Sequence, residues 1–278
     1  TWLAEIDVVG AAGKFEDYTE RANHMYEKVM PEGRSPGDLV FTKREPLGVV
    51  VCIAPFNYPL LLAANKMAPA LAGGNAVIVK PSSEDPLAVI RMVDIMLECG
   101  IPCNALQVVT GRGSTVGTWL VDNPKINAVS LTGSTAVGTE IAAKAAPYLH
   151  RVFLELGGND AMIIFDDADL DAVVMEANTR IFNSGQTCMA PKRFIVHKNI
   201  KNQFIEKLTT FLSTVTVGDP LAESTQMGPL ISEKAAIQIE EQVNATIAQG
   251  ARCILGGKRS AAYYEPTVLA GVTPEMDV

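Results

Sequence analysis

The sequence holds no CxxC pair and no HExxH-type spacing. Its five cysteines, at positions 52, 99, 103, 188 and 253, are an odd number scattered along 278 residues. That excludes a disulfide framework and argues against a cysteine-rich zinc site. His24, His150 and His197 stand far apart, so no metal site is expected. Basic charge is also short. With 23 Lys and Arg against 31 Asp and Glu, the net charge is −8. No Lys/Arg cluster offsets this deficit, so neither nucleic acid nor an anionic membrane surface is an expected partner. No uninterrupted apolar run reaches the roughly 18 residues that a membrane span requires. Internal repeats, low-complexity tracts and a GxGxxG fingerprint are absent as well. What the chain does have is apolar mass. Apolar residues make up 48%, enough to exclude wholesale disorder and to core one large domain or two smaller ones. Unpaired cysteines fit a reducing, cytoplasmic setting.

Residues 1–30 carry helix formers and no proline, so a helix is expected as far as Pro31. A turn-rich connector follows at 31–38, then strands at 39–43 and 47–54. The second strand (LGVVVCIA) is a continuous apolar run of the kind buried on both faces. From there strands and helices alternate about every 25 residues, the signature of βαβ crossovers and a parallel sheet. Helices are expected from Pro59 to Gly73, over 86–99, near 114–121 and from Ser134 onward. Strands are expected at 76–79, 106–109, 128–131 and 152–156. A second α/β stretch begins past a boundary near 155–158. Its strands fall at 162–165, 194–197, 253–255 and 267–269, and its helices at 169–180, 200–214 and 232–249.

In open parallel sheets, ligands bind outside the carboxyl ends of the strands. Asn57, Lys80, Gly111, Gly133-Ser134 and Glu155 all fall at such ends. The helix that starts at Ser134 offers N–H groups and positive dipole to a pyrophosphate, or is simply capped there. Cys188 lies in a loop bounded by Gly185 and Pro191, beside Asn183 and Gln186, and is the candidate nucleophile. The other four cysteines read as buried structural thiols. Glu155 closes the apolar run VFLEL just before two glycines. Half-desolvated there, its pKa would rise to where a general base works well; the competing reading is an exposed strand-end charge. Asp166, Asp167, Asp169 and Asp171 do not form a calcium loop. An EF-hand counted from Asp167 puts Ala172 and Asn178 where Gly and Glu are needed. These aspartates read as helix caps.

Taken together, APFNYP (54–59), VKPSS (79–83), LTGSTAVG (131–138), LELGG (154–158), FNSGQTCMA (182–190) and MGPLIS (227–232) resemble the aldehyde dehydrogenase superfamily. The motifs come in the family's order across nearly the whole chain. The resemblance implies an α/β fold, with a Rossmann-like parallel-sheet cofactor domain at 1–155 and a partial second α/β catalytic domain at 156–278. Residues 37–47 would form part of an extension used in oligomer contacts, so a homo-oligomer is expected. The resemblance also assigns roles. Cys188 matches the nucleophile, Asn57 the oxyanion donor beside the Cys188 N–H, and Glu155 the base that activates water. Lys80, Ser82 and Ser83 match positions at the adenosine ribose. Phe56, Gly113, Gly133, Ser134 and Leu156 match positions around the rest of the dinucleotide. Ser83 stands where NAD-preferring members often carry Glu, so NADP is expected to serve at least as well as NAD. Phe182 stands where semialdehyde-specific members can carry Arg, and Arg180, Lys192 and Arg193 are the nearby cations.

The function implied is oxidation of a small aliphatic aldehyde or semialdehyde to the acid with NAD(P), through a cysteine thiohemiacetal and thioester. Two alternatives are a CoA-acylating aldehyde dehydrogenase and a non-catalytic relative that only binds. The family continues with an E-x-F-G-P motif beyond this chain's last residues. The resemblance therefore implies rather more than half of a family member, lacking N- and C-terminal parts.

Overall fold

The apolar runs at 49–53 and 76–80 have no polar face to offer water, so both must lie inside a sheet covered on two sides. The computed structural model, which describes residues 2–30, 33, 35 and 37–276, builds them that way. Packing divides the chain into two units, Trp2–Leu156 and the part from Gly157 onward.

The first unit opens with helix α1 (Trp2–Ala22) and a two-stranded antiparallel ribbon, β1 (Val29–Met30) with β2 (Val40–Phe41). Then follow β3 (Val49–Ile53), α2 (Pro59–Ala72), β4 (Ala76–Lys80), α3 (Leu87–Glu98) and β5 (Leu106–Val108). A π turn (Gly113–Gly117) leads into α4 (Thr118–Val121), then β6 (Ala128–Thr132), α5 (Thr135–Ala145) and β7 (Arg151–Glu155). The five strands β3 to β7 form one parallel sheet in the order β5-β4-β3-β6-β7. The chain thus builds outward from β3 in one direction, then returns to build from β6 in the other. That reversal is the doubly wound topology, with its crevice at the carboxyl ends of β3 and β6.

Alternation along the strands splits the core into two layers. Val50, Cys52, Val77 and Val79 face α2 and α3 with Met67, Val89 and Val93. Val51, Val129 and Leu131 face the other way, with Val121 and Ile141 of α4 and α5. Gly138 of α5 has a packing reason to be glycine. A Cβ there would stand 2.6 Å from Leu156 Cδ2, so any larger residue would force the Leu156 side chain to shift.

The second unit contains β8 (Ala161–Ile164), α6 (Leu170–Ala177), a run of tight turns (Asn178–Gly185), β9 (Arg193–Val196), α7 (Lys201–Ser213) and α8 (Glu233–Ala248). The short strands β10 (Arg252–Leu255), β11 (Arg259–Ser260), β12 (Tyr263–Tyr264) and β13 (Val268–Ala270) follow. β8 pairs in parallel with β9; β10–β13 and β11–β12 are antiparallel pairs. Ile164, Val174, Phe204, Leu208 and Leu212 core the β8–α6–α7 layer. Asp169 caps α6, accepting from the N–H groups of Asp171 and Ala172.

Two expectations need correction. The first helix stops at Ala22 rather than Pro31, because 29–30 are drawn into pairing with 40–41. Of the connector at 31–38, residues 31, 32, 34 and 36 lie outside those described. Only Cys52 is a buried thiol; Cys99, Cys103 and Cys253 are exposed, the first as the C-cap of α3. The β11–β12 hairpin carries no turn signal of the usual kind: its turn passes through Ala261 at φ +50°.

Candidate active site

In the first unit the sheet delivers polar groups to one edge. Strand β3 ends at Ile53, and the loop to α2 carries Phe56 and Asn57, both half-buried. Strand β4 ends in Lys80, whose side chain is buried and whose ammonium donates to the Pro81 carbonyl at 3.0 Å. Burial lowers its pKa. Its stem lies beside Gly117. Ser82 Oγ accepts from the Glu84 N–H, and the exposed Ser83 hydroxyl donates to the Gly111 carbonyl at 3.0 Å. Gly113 opens the π turn on the surface.

Strand β6 runs into Gly133, whose N–H is taken by the Glu155 carbonyl at 3.0 Å. The expected cluster of free amides is therefore smaller than the sequence suggests. Ser134 is the N-cap of α5, its Oγ accepting from Val137 N, while Gly138 N bonds the Ser134 carbonyl. Thr135 and Ala136 are left as the first-turn N–H groups without an intrahelical partner, the donors an anion meets at a helix start. Leu156 packs on α5 in the apolar layer.

Glu155 ends β7, in register with Thr132. It is exposed, not half-desolvated. The reason is strand alternation. Val152 and Leu154 turn into the core, so Arg151, Phe153 and Glu155 share the uncovered face of an edge strand.

A residue that the sequence reading passed over stands in the same region. Lys66 of α2 is buried, and its ammonium donates to Thr132 Oγ1 at 2.6 Å. Desolvation lowers its pKa, while the Cys52 thiol and the Glu155 carboxylate act to raise it. The signal was available: Lys66 is the one charged residue in the helix PLLLAANKMAPALA. Burial pushes the neighbouring Cys52 thiol up to about 12, with Lys66 opposing, so Cys52 is no nucleophile at neutral pH.

Cys188 belongs to the second unit and is exposed. The backbone before it is unusual. Asn183, Ser184 and Gly185 are three consecutive residues at positive φ, +51°, +56° and +77°. Left-handed conformations of non-glycine residues persist only where their surroundings impose them. Several bonds do so here. Arg180 Nη1 donates to the Gly185 carbonyl at 2.8 Å, and Ser184 Oγ to the Gly228 carbonyl at 2.8 Å. Gln186 Nε2 donates to the Asn183 carbonyl at 3.0 Å, and Gln186 Oε1 accepts from Ile231 N at 2.9 Å. The MGPLIS segment is therefore a strut under the cysteine loop.

The three cations near Cys188 are spent on backbone. Arg180 is largely desolvated, which lowers its pKa, and it serves Gly185. Lys192 donates to the Gly158 carbonyl. Arg193 forks onto the Asn159 carbonyl at 3.1 and 2.8 Å. Among the described residues no group of three or more His, Cys, Asp or Glu could hold a metal ion.

A doubly wound sheet with polar groups at its carboxyl edge, followed by an α/β unit carrying a thiol on a strained loop, matches a known class. The aldehyde dehydrogenase family profile matches residues 1–278, and the chain belongs to that family. It is 39% identical over 276 residues to a 3-sulfolactaldehyde dehydrogenase of Priestia aryabhattai, covering 98% of this chain and 57% of that protein. It is 36% identical over 279 residues to an NADP(+) succinate-semialdehyde dehydrogenase of Escherichia coli, covering 99% of this chain and 58% of that one. The crystal structure of lactaldehyde dehydrogenase from Escherichia coli superposes with a TM-score of 0.96 at 38% identity, over 99% of this chain and 58% of the other. The chain thus spans somewhat more than half the length of these relatives.

Proposed function

We propose that the protein oxidises a small aliphatic aldehyde or a semialdehyde to the carboxylic acid, with NADP or NAD as oxidant. The observation that carries this reading is the β5-β4-β3-β6-β7 sheet with Asn57, Ser134 and Glu155 at its carboxyl edge, in an aldehyde dehydrogenase family chain that also has Cys188. The names of the relatives, a sulfolactaldehyde and a succinate semialdehyde enzyme, support the substrate class.

In this reading the Cys188 thiolate adds to the aldehyde carbon. The Asn57 side-chain amide and the Cys188 N–H donate to the oxygen as it becomes an oxyanion; a donor of this kind is worth roughly 10²–10³ in rate. NAD(P), when bound, would supply the acceptor for the hydride that leaves the Cys188 thiohemiacetal. The Cys188 thioester that remains is cleaved by water, whose proton passes to the Glu155 carboxylate. An exposed Glu155 keeps contact with the water it needs. The cofactor fits the residues present: the Thr135 and Ala136 amides behind the Ser134 cap suit a pyrophosphate. Lys80, Ser82 and Ser83 would lie at the adenosine ribose, with Phe56, Gly113, Gly133 and Leu156 along the remainder.

Ser83 carries no charge to repel a 2′-phosphate. A carboxylate about 4 Å away would cost about 4 kcal/mol at an effective dielectric of 20. The kcat/KM for NADP should therefore equal or exceed that for NAD. A preference for NAD above tenfold overturns this assignment. On an aldehyde panel, Cys188→Ala should abolish acid formation while the circular dichroism spectrum stays that of wild type. Wild-type turnover by that variant would end the mechanism. We also propose a cytoplasmic homo-oligomer; the exposed Val29, Leu39 and Phe41 beside the β1–β2 pairing support a subunit contact there.

A further inference from the structure

A helix start must find partners for its first N–H groups, or leave them to water. At α2 the expected partner is missing. The N-cap position is Tyr58, whose side chain makes no capping bond. The structure closes the account from elsewhere in the chain. Pro59 has no N–H to satisfy. Leu60 N donates to Asp7 Oδ2 at 3.0 Å and Leu61 N to Asp7 Oδ1 at 2.9 Å. Leu62 N returns to the Tyr58 carbonyl at 3.0 Å. Every amide of the first turn is thus accounted for, two of them by one carboxylate borrowed from α1.

Asp7 is only 6% exposed. An acid in the middle of a helix face that is otherwise buried through Ala11 is costly unless it is fully bonded. It also lies close enough to a second acid to matter. Burial first, and the charge of Asp7 second, raise the pKa of Asp85. Two charge-assisted bonds and the positive end of the α2 dipole offset those costs. Next to this cap, Gly10 lets α1 approach: a Cβ there would stand 3.1 Å from Leu61 Cδ1. The start of α2 is therefore fixed in place by α1, not by its own loop.

We infer that Asp7 is a positioning residue for Asn57, holding the entry of α2 so that the Asn57 amide meets the oxyanion. This rests on the role proposed above for Asn57, which lies two residues before Pro59. Small displacements of a catalytic group are expensive: about 1 Å costs up to 10²-fold. Asp7 touches no substrate and acts only through the helix start.

The test is a double-mutant cycle in the intact native protein, read as kcat and aldehyde KM. Asn57→Ala should lower kcat about 100-fold. Asp7→Ala should lower kcat about tenfold and leave KM within about twofold, because only the transition state feels the misplaced donor. In the Asn57→Ala background, Asp7→Ala should cost less than about twofold, since there is no longer an amide to misplace. Asp7→Asn retains one acceptor but turns an NH₂ toward the second N–H. It should fall between wild type and Asp7→Ala, and it carries the cycle if Asp7→Ala does not fold. Equal losses in both backgrounds mean general damage and overturn the inference, with Asn57 untouched. Wild-type kcat for Asn57→Ala instead removes the role of Asn57, and the inference with it.

Discussion

The loops that carry Asn57 and Cys188 are held by opposite means. The first runs from a buried parallel strand into a helix whose opening turn is fully bonded, and its backbone is ordinary. The second passes through three left-handed residues and depends on side chains reaching over to residues 228 and 231, more than forty positions along the chain. Regular structure and the Asp7 carboxylate of α1 together hold one position without backbone strain. The other conformation is uphill and persists only while its tethers do. With the roles proposed above, the nucleophile would sit on the strained loop and the oxyanion donor on the unstrained one.

This contrast can be broken at chosen points. The largest effect should come from Gly185→Ala. Its φ of +77° is unfavourable for alanine, and a Cβ there lies 2.7 Å from Arg180 Nη1, so the Arg180 bond is displaced as well. A loss of about 2–3 kcal/mol by urea unfolding is expected. Ser184→Ala should cost about 1 kcal/mol, since it deletes the bond to Gly228 and keeps the strain. Ser184→Gly deletes the same bond but relieves the left-handed φ, so the two changes should nearly cancel. If Ser184→Gly is as damaging as Ser184→Ala, strain is not what the tether opposes. In the other loop, Tyr58→Phe should stay within about 0.5 kcal/mol, because Tyr58 gives α2 no side-chain cap.

Lys66 offers a pH test of the first unit. Its pKa is lower folded than unfolded, so between those two values the unfolded chain binds more protons and stability rises with pH. Below the folded value the slope from this group is zero, and above 10.5 it is zero again. Lys66→Met should remove that share of the rise, leaving the part from Lys80, which is shifted in the same direction. An unchanged alkaline slope in Lys66→Met would mean that the ammonium is not desolvated.

The sheet was legible because β3 and β4 are mostly apolar runs, and β4 and β6 each end at a polar residue, Lys80 and Thr132. Asn57 and Glu155 are candidates from their places at strand ends and Cys188 from its loop; the motif order adds their roles. What escaped was whatever depended on distant partners. Residues 23–30 contain good helix formers, yet β1 pairs with β2. Ala261 makes a hairpin turn without the glycine or asparagine that would announce it. The exposure of Glu155 follows from its parity along an edge strand, and a run such as VFLEL hides which parity faces the helices. Asp7 looks like one more acid in an amphipathic helix until its two bonds to α2 are seen.

The β1–β2 ribbon has a practical consequence. Two short strands alone are marginal in water, and this pair leaves Val29, Val40 and Phe41 exposed. If the homo-oligomer proposed above forms through this ribbon, dilution should lower the midpoint of a heat or denaturant transition. Midpoints taken at a single protein concentration would mix the folding of each unit with whatever shields that ribbon, and a concentration series separates the two.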